Sequence, residues 1–292
     1  MIRWLSLLLV LAACAAPPPT TSDPLLFKPD RVARAQSVII AVPGALTPVL
    51  VLSGLETLAT ADRAVVYYRL PGFDGRPADE VIDLDFAANH IAAFVAENGF
   101  QAVYIVGHST GAAIAMEAAG RIKETDPMLP VQIAAISSAL PAPQPTLAGL
   151  RGAGGTAAAA FRARSLDPRT VWLEYYRTLA YGRGAQDRAE VAAAADQLVA
   201  ANEGRIEIPE DGLARRHWRA VRRWPGPDPD TLRGVPITFL HGAGDPVFPL
   251  RALGRFAKRL PDARVEAIPD SGHLLLLTRP TIWADINRIF GF

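Results

Sequence analysis

One cysteine, Cys14, occurs in the 292 residues. With no second thiol the chain forms no internal disulfide, and its stability has to come from a packed core. Charge of one sign is not in excess: 30 Lys and Arg stand against 29 Asp and Glu. That balance gives no electrostatic reason to expect nucleic acid or a strongly acidic partner. No two histidines have a metal-ligand spacing such as HxxxH, so neither a catalytic metal nor a cofactor is expected. There is no internal repeat and no second long apolar run. What the chain does have is apolar surface to bury, since 50% of its residues are hydrophobic. It is too apolar for disorder and long enough for one large core with an accessory subdomain.

The first residues carry their own meaning. Arg3 is a short positive region, and Trp4 to Ala13 is apolar apart from Ser6. A bilayer span needs roughly 20 residues, so this run suits the apolar region of a signal peptide instead. Leu11-Ala12-Ala13-Cys14 follows, and resembles the lipobox of bacterial lipoproteins. The resemblance implies a signal peptide over 1–13 and lipidation of Cys14. Ala15, where an Asp would resemble retention at the inner membrane, implies an exported protein at the outer membrane. Loss of residues 1–13 removes Arg3 alone and leaves basic and acidic residues equal in number. Anchoring is therefore expected from acyl chains rather than a polybasic patch. Residues 14–36 read as a tether, with Pro17-Pro18-Pro19 and Thr20-Thr21-Ser22 at its extended polar centre.

From Ser37 the pattern alternates. Short continuous apolar runs at Ser37 to Val42, Ala64 to Tyr68 and Ala102 to Val106 read as buried parallel strands, and Val131 to Ile136, Ile237 to Leu240 and Arg264 to Ile268 complete the set. Helical stretches are predicted near 47–60, 83–97, 110–124, 249–259 and 279–290. Such alternation predicts an α/β fold with a doubly wound, mostly parallel sheet, over 37–140 and 232–292. Between Ile136 and Ile237 lie about a hundred residues without a clear strand, far beyond an ordinary connection. Pro141 to Pro145 open this segment, and Gly149 to Ala160 is a Gly/Ala-rich stretch of low complexity. Helical patterns follow around Val171 to Ala180, Ala189 to Ala201 and Leu213 to Trp224. Residues 141–231 are expected to form a helical cap over the carboxyl ends of the strands, where ligands bind in such sheets.

Gly107-His108-Ser109-Thr110-Gly111 directly follows one predicted strand and precedes a predicted helix. A strand-to-helix turn this tight strains the residue at its tip, and the flanking glycines avoid clashes there. The same geometry would lift the Ser109 hydroxyl clear of the sheet and aim the next helix's N-terminus at a developing oxyanion. With this motif the sequence resembles the α/β-hydrolase superfamily, from about Ser37 to the C-terminus. The resemblance implies a triad in the chain order Ser, acid, His. Asp245, in His241-Gly242-Ala243-Gly244-Asp245 after a strand, resembles the acid; His273, in Ser271-Gly272-His273 after the last strand, resembles the base. Asp270 is the second choice for the acid.

Each residue type suits its role. A serine hydroxyl is a poor nucleophile until a base takes its proton, and an imidazole with pKa near 6.5 can take it. The carboxylate would hold the imidazole tautomer and stabilise the imidazolium. The resemblance further implies an oxyanion hole from the main-chain N–H groups of Thr110 and Ala45, although Pro43-Gly44 stands where the family usually has His-Gly. His108 is expected to pack under the turn and His241 to shape the acid loop; His90 and His217 are assigned no role. Arg215, Arg216, Arg219, Arg222 and Arg223 with Trp218 and Trp224 read as a solvated helix face whose tryptophans pack on the core, or as a contact for anionic lipid or an acidic substrate.

The expected reaction is hydrolysis of a carboxylic ester or related acyl substrate, hydrophobic in view of Trp172, Tyr175 and Tyr176 in the cap. Acyl transfer, C–C bond hydrolysis or perhydrolysis on the same scaffold, and a non-catalytic envelope lipoprotein with a vestigial site remain open, because fold does not fix chemistry.

Overall fold

All six predicted strands are present, and a seventh joins them. In a computed structural model, which describes residues 23–80, 82–184, 188–202 and 211–292, the strands are β1 (Leu25–Leu26), β2 (Ser37–Val42), β3 (Arg63–Tyr68), β4 (Ala102–His108), β5 (Val131–Ile136), β6 (Ile237–Gly242) and β7 (Ala263–Ile268). They form one sheet in the order β1-β3-β2-β4-β5-β6-β7. Every pairing is parallel except β1 with β3. Alternation along β2 shows why the runs are apolar throughout. Val38, Ile40 and Val42 enter one core and Ile39 and Ala41 the other, so both faces of the strand are covered. Helices α2 (Leu84–Asn98), α3 (Thr110–Thr125) and α8 (Leu250–Ala257) close the first core. A 3-10 helix (Val49–Leu58) and α10 (Ile282–Phe290) close the second. The doubly wound α/β fold is as the sequence implied.

Three details differ from the sequence reading. The expected tether does not extend to residue 36. Leu25 pairs with Tyr68 at the sheet edge, and α1 (Pro29–Val32) buries Val32 against the same core. Arg69 also binds this segment, its main-chain N–H donating to Pro24 O at 2.7 Å. Two residues are too few to show strand periodicity, which is why β1 is not visible in the sequence. Cys14 and the remainder of the tether, residues 14–22, lie outside the described residues, as does the signal peptide over 1–13. The helix expected over 47–60 is present but wound as a 3-10 helix. Its buried residues, Leu52, Leu55 and Leu58, recur every third position, which is the period of that winding.

The third difference is in the insertion. Four helices fall between β5 and β6: α4 (Gln144–Ala163), α5 (Pro168–Tyr181), α6 (Ala189–Asn202) and α7 (Asp211–Val221). The Gly/Ala-rich stretch lies inside α4. Gly155 is the one of its glycines that permits close helix packing, since a Cβ there would lie 2.5 Å from the Tyr175 ring. Tyr175 is thereby taken up in the insertion's own core with Val171 and Ala159. Among the described residues no helix is long and apolar enough to cross a membrane.

α7 is fastened to the core along one stripe. Leu213, His217, Val221 and, beyond the helix, Trp224 are buried, while Arg215, Arg219 and Arg223 are exposed. Trp224 donates to Glu117 of α3 at 2.6 Å, and Trp218 to Pro145 O at 3.2 Å. His217 donates from Nε2 to Pro71 O at 3.2 Å and meets the Phe73 ring edge-on. Burial pushes the His217 pKa from 6.5 down to about 4, so the ring is neutral when folded. As pH falls below 6.5 the unfolded chain takes up a proton the folded chain refuses, and stability is lost progressively down to about pH 4. The loss attributable to this ring is roughly 3 kcal/mol. Thermal melting at pH 7 and pH 4.5 should therefore show a smaller acid-induced drop for His217→Gln than for the wild type. Equal drops would remove His217 from the acid response.

Candidate active site

The turn between β4 and α3 holds Ser109 at φ 50° and ψ −116°, a left-handed conformation that L residues adopt rarely and under strain. Close packing enforces it. A Cβ on Gly107 would lie 2.4 Å from Gly111 O, and one on Gly111 would lie 2.1 Å from Val42 O. Only hydrogen atoms fit at either position. The turn is tied into the sheet by Ser109 N–H donating to Ile136 O and Ala139 N–H donating to Ser109 O. Ser109 thus stands at the carboxyl end of the central strand, at the N-terminus of a 16-residue helix.

The loops after β6 and β7 bring two further side chains to it. His273 Nε2 lies 3.0 Å from Ser109 Oγ, and His273 Nδ1 lies 2.8 Å from Asp245 Oδ2. A carboxylate only accepts, so Nδ1 carries the proton and Nε2 is left to accept from the serine hydroxyl. The other carboxylate oxygen, Oδ1, takes the main-chain N–H groups of Val247 at 2.7 Å and Phe248 at 2.9 Å. Burial alone would raise the Asp245 pKa. The charge and hydrogen bond of His273, with the charge of His241 and the Phe248 N–H, outweigh it and hold the carboxyl below its usual range. Asp245 is therefore ionised and immobile.

The other sequence candidates fall as follows. Asp270 is exposed and pairs with Arg188 at 2.6 Å, away from His273. His241 is fully buried and donates to Phe248 O at 2.7 Å, which fixes the acid loop as expected. His108 packs beneath the turn against Gly44. Its Nε2 lies 3.4 Å from His273 O, and burial together with the charge of His273 lowers its pKa to about 3. Thr110 follows Ser109 in the first turn of α3, and Ala45 follows Gly44, where an added Cβ would lie 3.0 Å from Ser109 Cβ. Among the described residues no acceptor takes the N–H of either, so both donors are available.

One set of contacts is absent from the sequence reading. The carboxyl end of α5 sits directly on the histidine loop, where Gly272 N–H donates to Ala180 O at 2.8 Å and His273 N–H to Leu179 O at 2.6 Å. A Cβ on Gly272 would lie 2.4 Å from Leu179 O, so this glycine is what lets the insertion approach. The insertion thus takes part in placing His273. His217, which clamps α7 to Pro71, was likewise assigned nothing; its place on the Leu213–Val221 stripe is the signal that could have found it.

A doubly wound sheet carrying a strained serine, an imidazole and a buried carboxylate at its carboxyl end defines an α/β hydrolase. Residues 39–286 match the model of the Alpha/beta hydrolase family, and the chain belongs to that family. A 68-residue segment is 41% identical to the pimeloyl-[acyl-carrier protein] methyl ester esterase of Aromatoleum aromaticum, covering 23% of this chain and 24% of that protein. The chain thus spans about a quarter of the length of the curated relative it matches. Among solved structures, a thermophilic esterase from Thermogutta terrifontis superposes with a TM-score of 0.63 at 17% identity, covering 93% of this chain and 96% of that one. An alpha/beta hydrolase enzyme from a Medee basin deep-sea metagenome library gives 0.60 at 15% identity, over 88% and 90%. At such identities these two similarities speak to the fold.

Proposed function

We propose that the protein is a serine hydrolase that cleaves a carboxylic ester or closely related acyl substrate through an acyl-enzyme on Ser109. The observation that carries the reading is the unbroken chain from Ser109 Oγ to His273 Nε2 at 3.0 Å and from His273 Nδ1 to Asp245 at 2.8 Å. Ser109 Oγ attacks the carbonyl carbon while its proton passes to His273 Nε2. The oxyanion is received by the N–H groups of Ala45 and Thr110, and each such donor is worth about 3 kcal/mol in the transition state. His273 then returns the proton to the departing alcohol. Water, deprotonated by the same nitrogen, attacks the acyl carbon, and the acid leaves with Ser109 restored. No step asks for a metal or cofactor. The methyl ester cleaved by the curated relative supports an ester over other acyl substrates.

The second part of the proposal is place. The lipobox-like Leu11-Ala12-Ala13-Cys14 supports an exported enzyme held at the bacterial envelope by lipid on Cys14, with α4 to α7 as a cap over Ser109.

Incubating the chain from Ala15 onward, which contains every described element, with a fluorophosphonate probe tests the chemistry. Intact mass should show one adduct on the wild type and none on Ser109→Ala. Absence of an adduct on folded wild-type protein would remove the serine-hydrolase reading.

A further inference from the structure

A groove of about 750 Å³ opens between α4 and the segment after α5. Ser109 is not on its wall. Its apolar lining is Leu147, Leu150 and Ala158, with Gly154, Gly155 and Gly182 between them. Leu147 and Leu150 are 38% and 68% exposed at its mouth, an apolar surface left open to water. The charged lining is of one sign, Arg151, Arg162 and Arg183, beside the neutral hydroxyl of Thr178.

These guanidinium groups are not equivalent. Arg162 is spent on Glu174 at 2.7 Å and Thr178 at 3.0 Å. Arg151 donates to two neutral oxygens, Val247 O at 2.9 Å and Gln144 Oε1 at 3.2 Å. Burial lowers the Arg151 pKa, and the charge of Arg183, which lines the same groove, lowers it further, as does that of Arg251, which stands outside the lining. Among the described residues no carboxylate forms a salt bridge with Arg151 or Arg183. The nearby carboxylate that offsets Arg151, Asp245, has both oxygens engaged by His273 and the Val247 and Phe248 N–H groups. Cations gathered at an apolar groove repel one another, and an anion placed between them relieves that repulsion while satisfying the guanidinium fork.

We propose that this groove binds an anionic amphiphile, its chain against Leu147, Leu150 and Ala158 and its carboxylate or phosphate head on Arg151 and Arg183. Mostly apolar walls with a few convergent polar groups are what such a ligand requires. The site goes beyond ester hydrolysis, since it uses neither Ser109 nor His273. It is nevertheless tied to the acid loop through the Arg151 bond to Val247 O, and its wall shares Gly182 with the end of the helix that docks on the His273 loop.

Calorimetric titration tests it on the chain from Ala15 carrying Ser109→Ala, which makes binding independent of any hydrolysis. The ligands are dodecanoate, dodecyl phosphate and dodecyltrimethylammonium, each below its critical micelle concentration. At least one anion should bind ten or more times tighter than the cation, and the better of the two names the head group. Arg183→Ala, at an exposed position, should weaken that anion about tenfold. Gly154→Leu should abolish binding by filling the groove, and it should fold, because a Cβ there meets nothing within 4 Å. Comparable affinity for cation and anions, or an affinity unmoved by Gly154→Leu, would overturn the proposal. A loss of fluorophosphonate labelling in the wild type would instead overturn the catalytic reading and leave this one standing.

Discussion

Replacing His273 by Ala should lower kcat on a p-nitrophenyl ester by about 10⁶-fold, the scale on which a serine-and-histidine unit fails when either member is removed. The size follows from the geometry. His273 Nε2 is the group within hydrogen-bond distance of Ser109 Oγ, at 3.0 Å, and the imidazole is held from behind by Asp245. His108 cannot substitute: it is buried with its pKa lowered to about 3, and its Nε2 faces His273 O. His241 cannot either, since its Nε2 is committed to Phe248 O. The variant should fold, because the Gly272 and His273 main-chain N–H groups that dock the loop on α5 are untouched. Ser109→Ala should fall to the same residual rate, and the double variant no further, since the two residues act as one unit. Initial rates at saturating substrate, with circular dichroism as the control for folding, decide it. A loss under a hundredfold would mean that another base serves Ser109.

The three residues of this unit were legible in the sequence, and the reason is local. Each sits within a few residues of the carboxyl end of a parallel strand; β4 and β6 announce themselves as buried apolar runs, whereas β7 is half-exposed and carries Arg264 and Glu266. Ser109 is marked by the strand–turn–helix setting of its Gly-flanked turn, and Asp245 and His273 by the resemblance of the loops after β6 and β7 to the family's acid and histidine loops. What was not legible depends on contacts distant in sequence. His217 reaches Pro71 across 146 positions, and nothing in α7 specifies that partner. The docking of Leu179 and Ala180 on the histidine loop depends on a bare Gly272, whose Cβ would strike Leu179 O, and the next turn of chain passes the acid loop only because a bare Gly182 faces Gly244. Composition misled at α4. Four glycines among alanines read as low complexity, yet Gly155 is the residue that lets Tyr175 lie against the helix. A strand as short as Leu25–Leu26 has no periodicity to read at all.

Asp245→Asn should leave the fold intact and reduce kcat by about 10⁴-fold through a tautomer change. Oδ1 of Asp245 accepts two main-chain N–H groups, from Val247 and Phe248. An amide at this position must therefore keep its oxygen on that side, because turning its NH₂ toward two donors would leave all of them unpaired in a buried site, at about 1–3 kcal/mol each. The NH₂ is then forced to face His273 Nδ1, which has to accept. An imidazole that accepts at Nδ1 carries its proton at Nε2, pointed at Ser109 Oγ, where it cannot take the hydroxyl proton. The serine loses its base although no heavy atom need move. The carboxylate charge, which Asp245 holds below the usual pKa range, is lost as well, so any imidazolium formed is no longer stabilised. Fluorophosphonate labelling should slow by a factor similar to that of kcat, because both begin with the same proton transfer. A melting temperature within a few degrees of wild type, beside that shared loss, separates the tautomer effect from collapse of the acid loop. Activity within tenfold of wild type would mean that Asp245 holds its loop and does not set the state of His273.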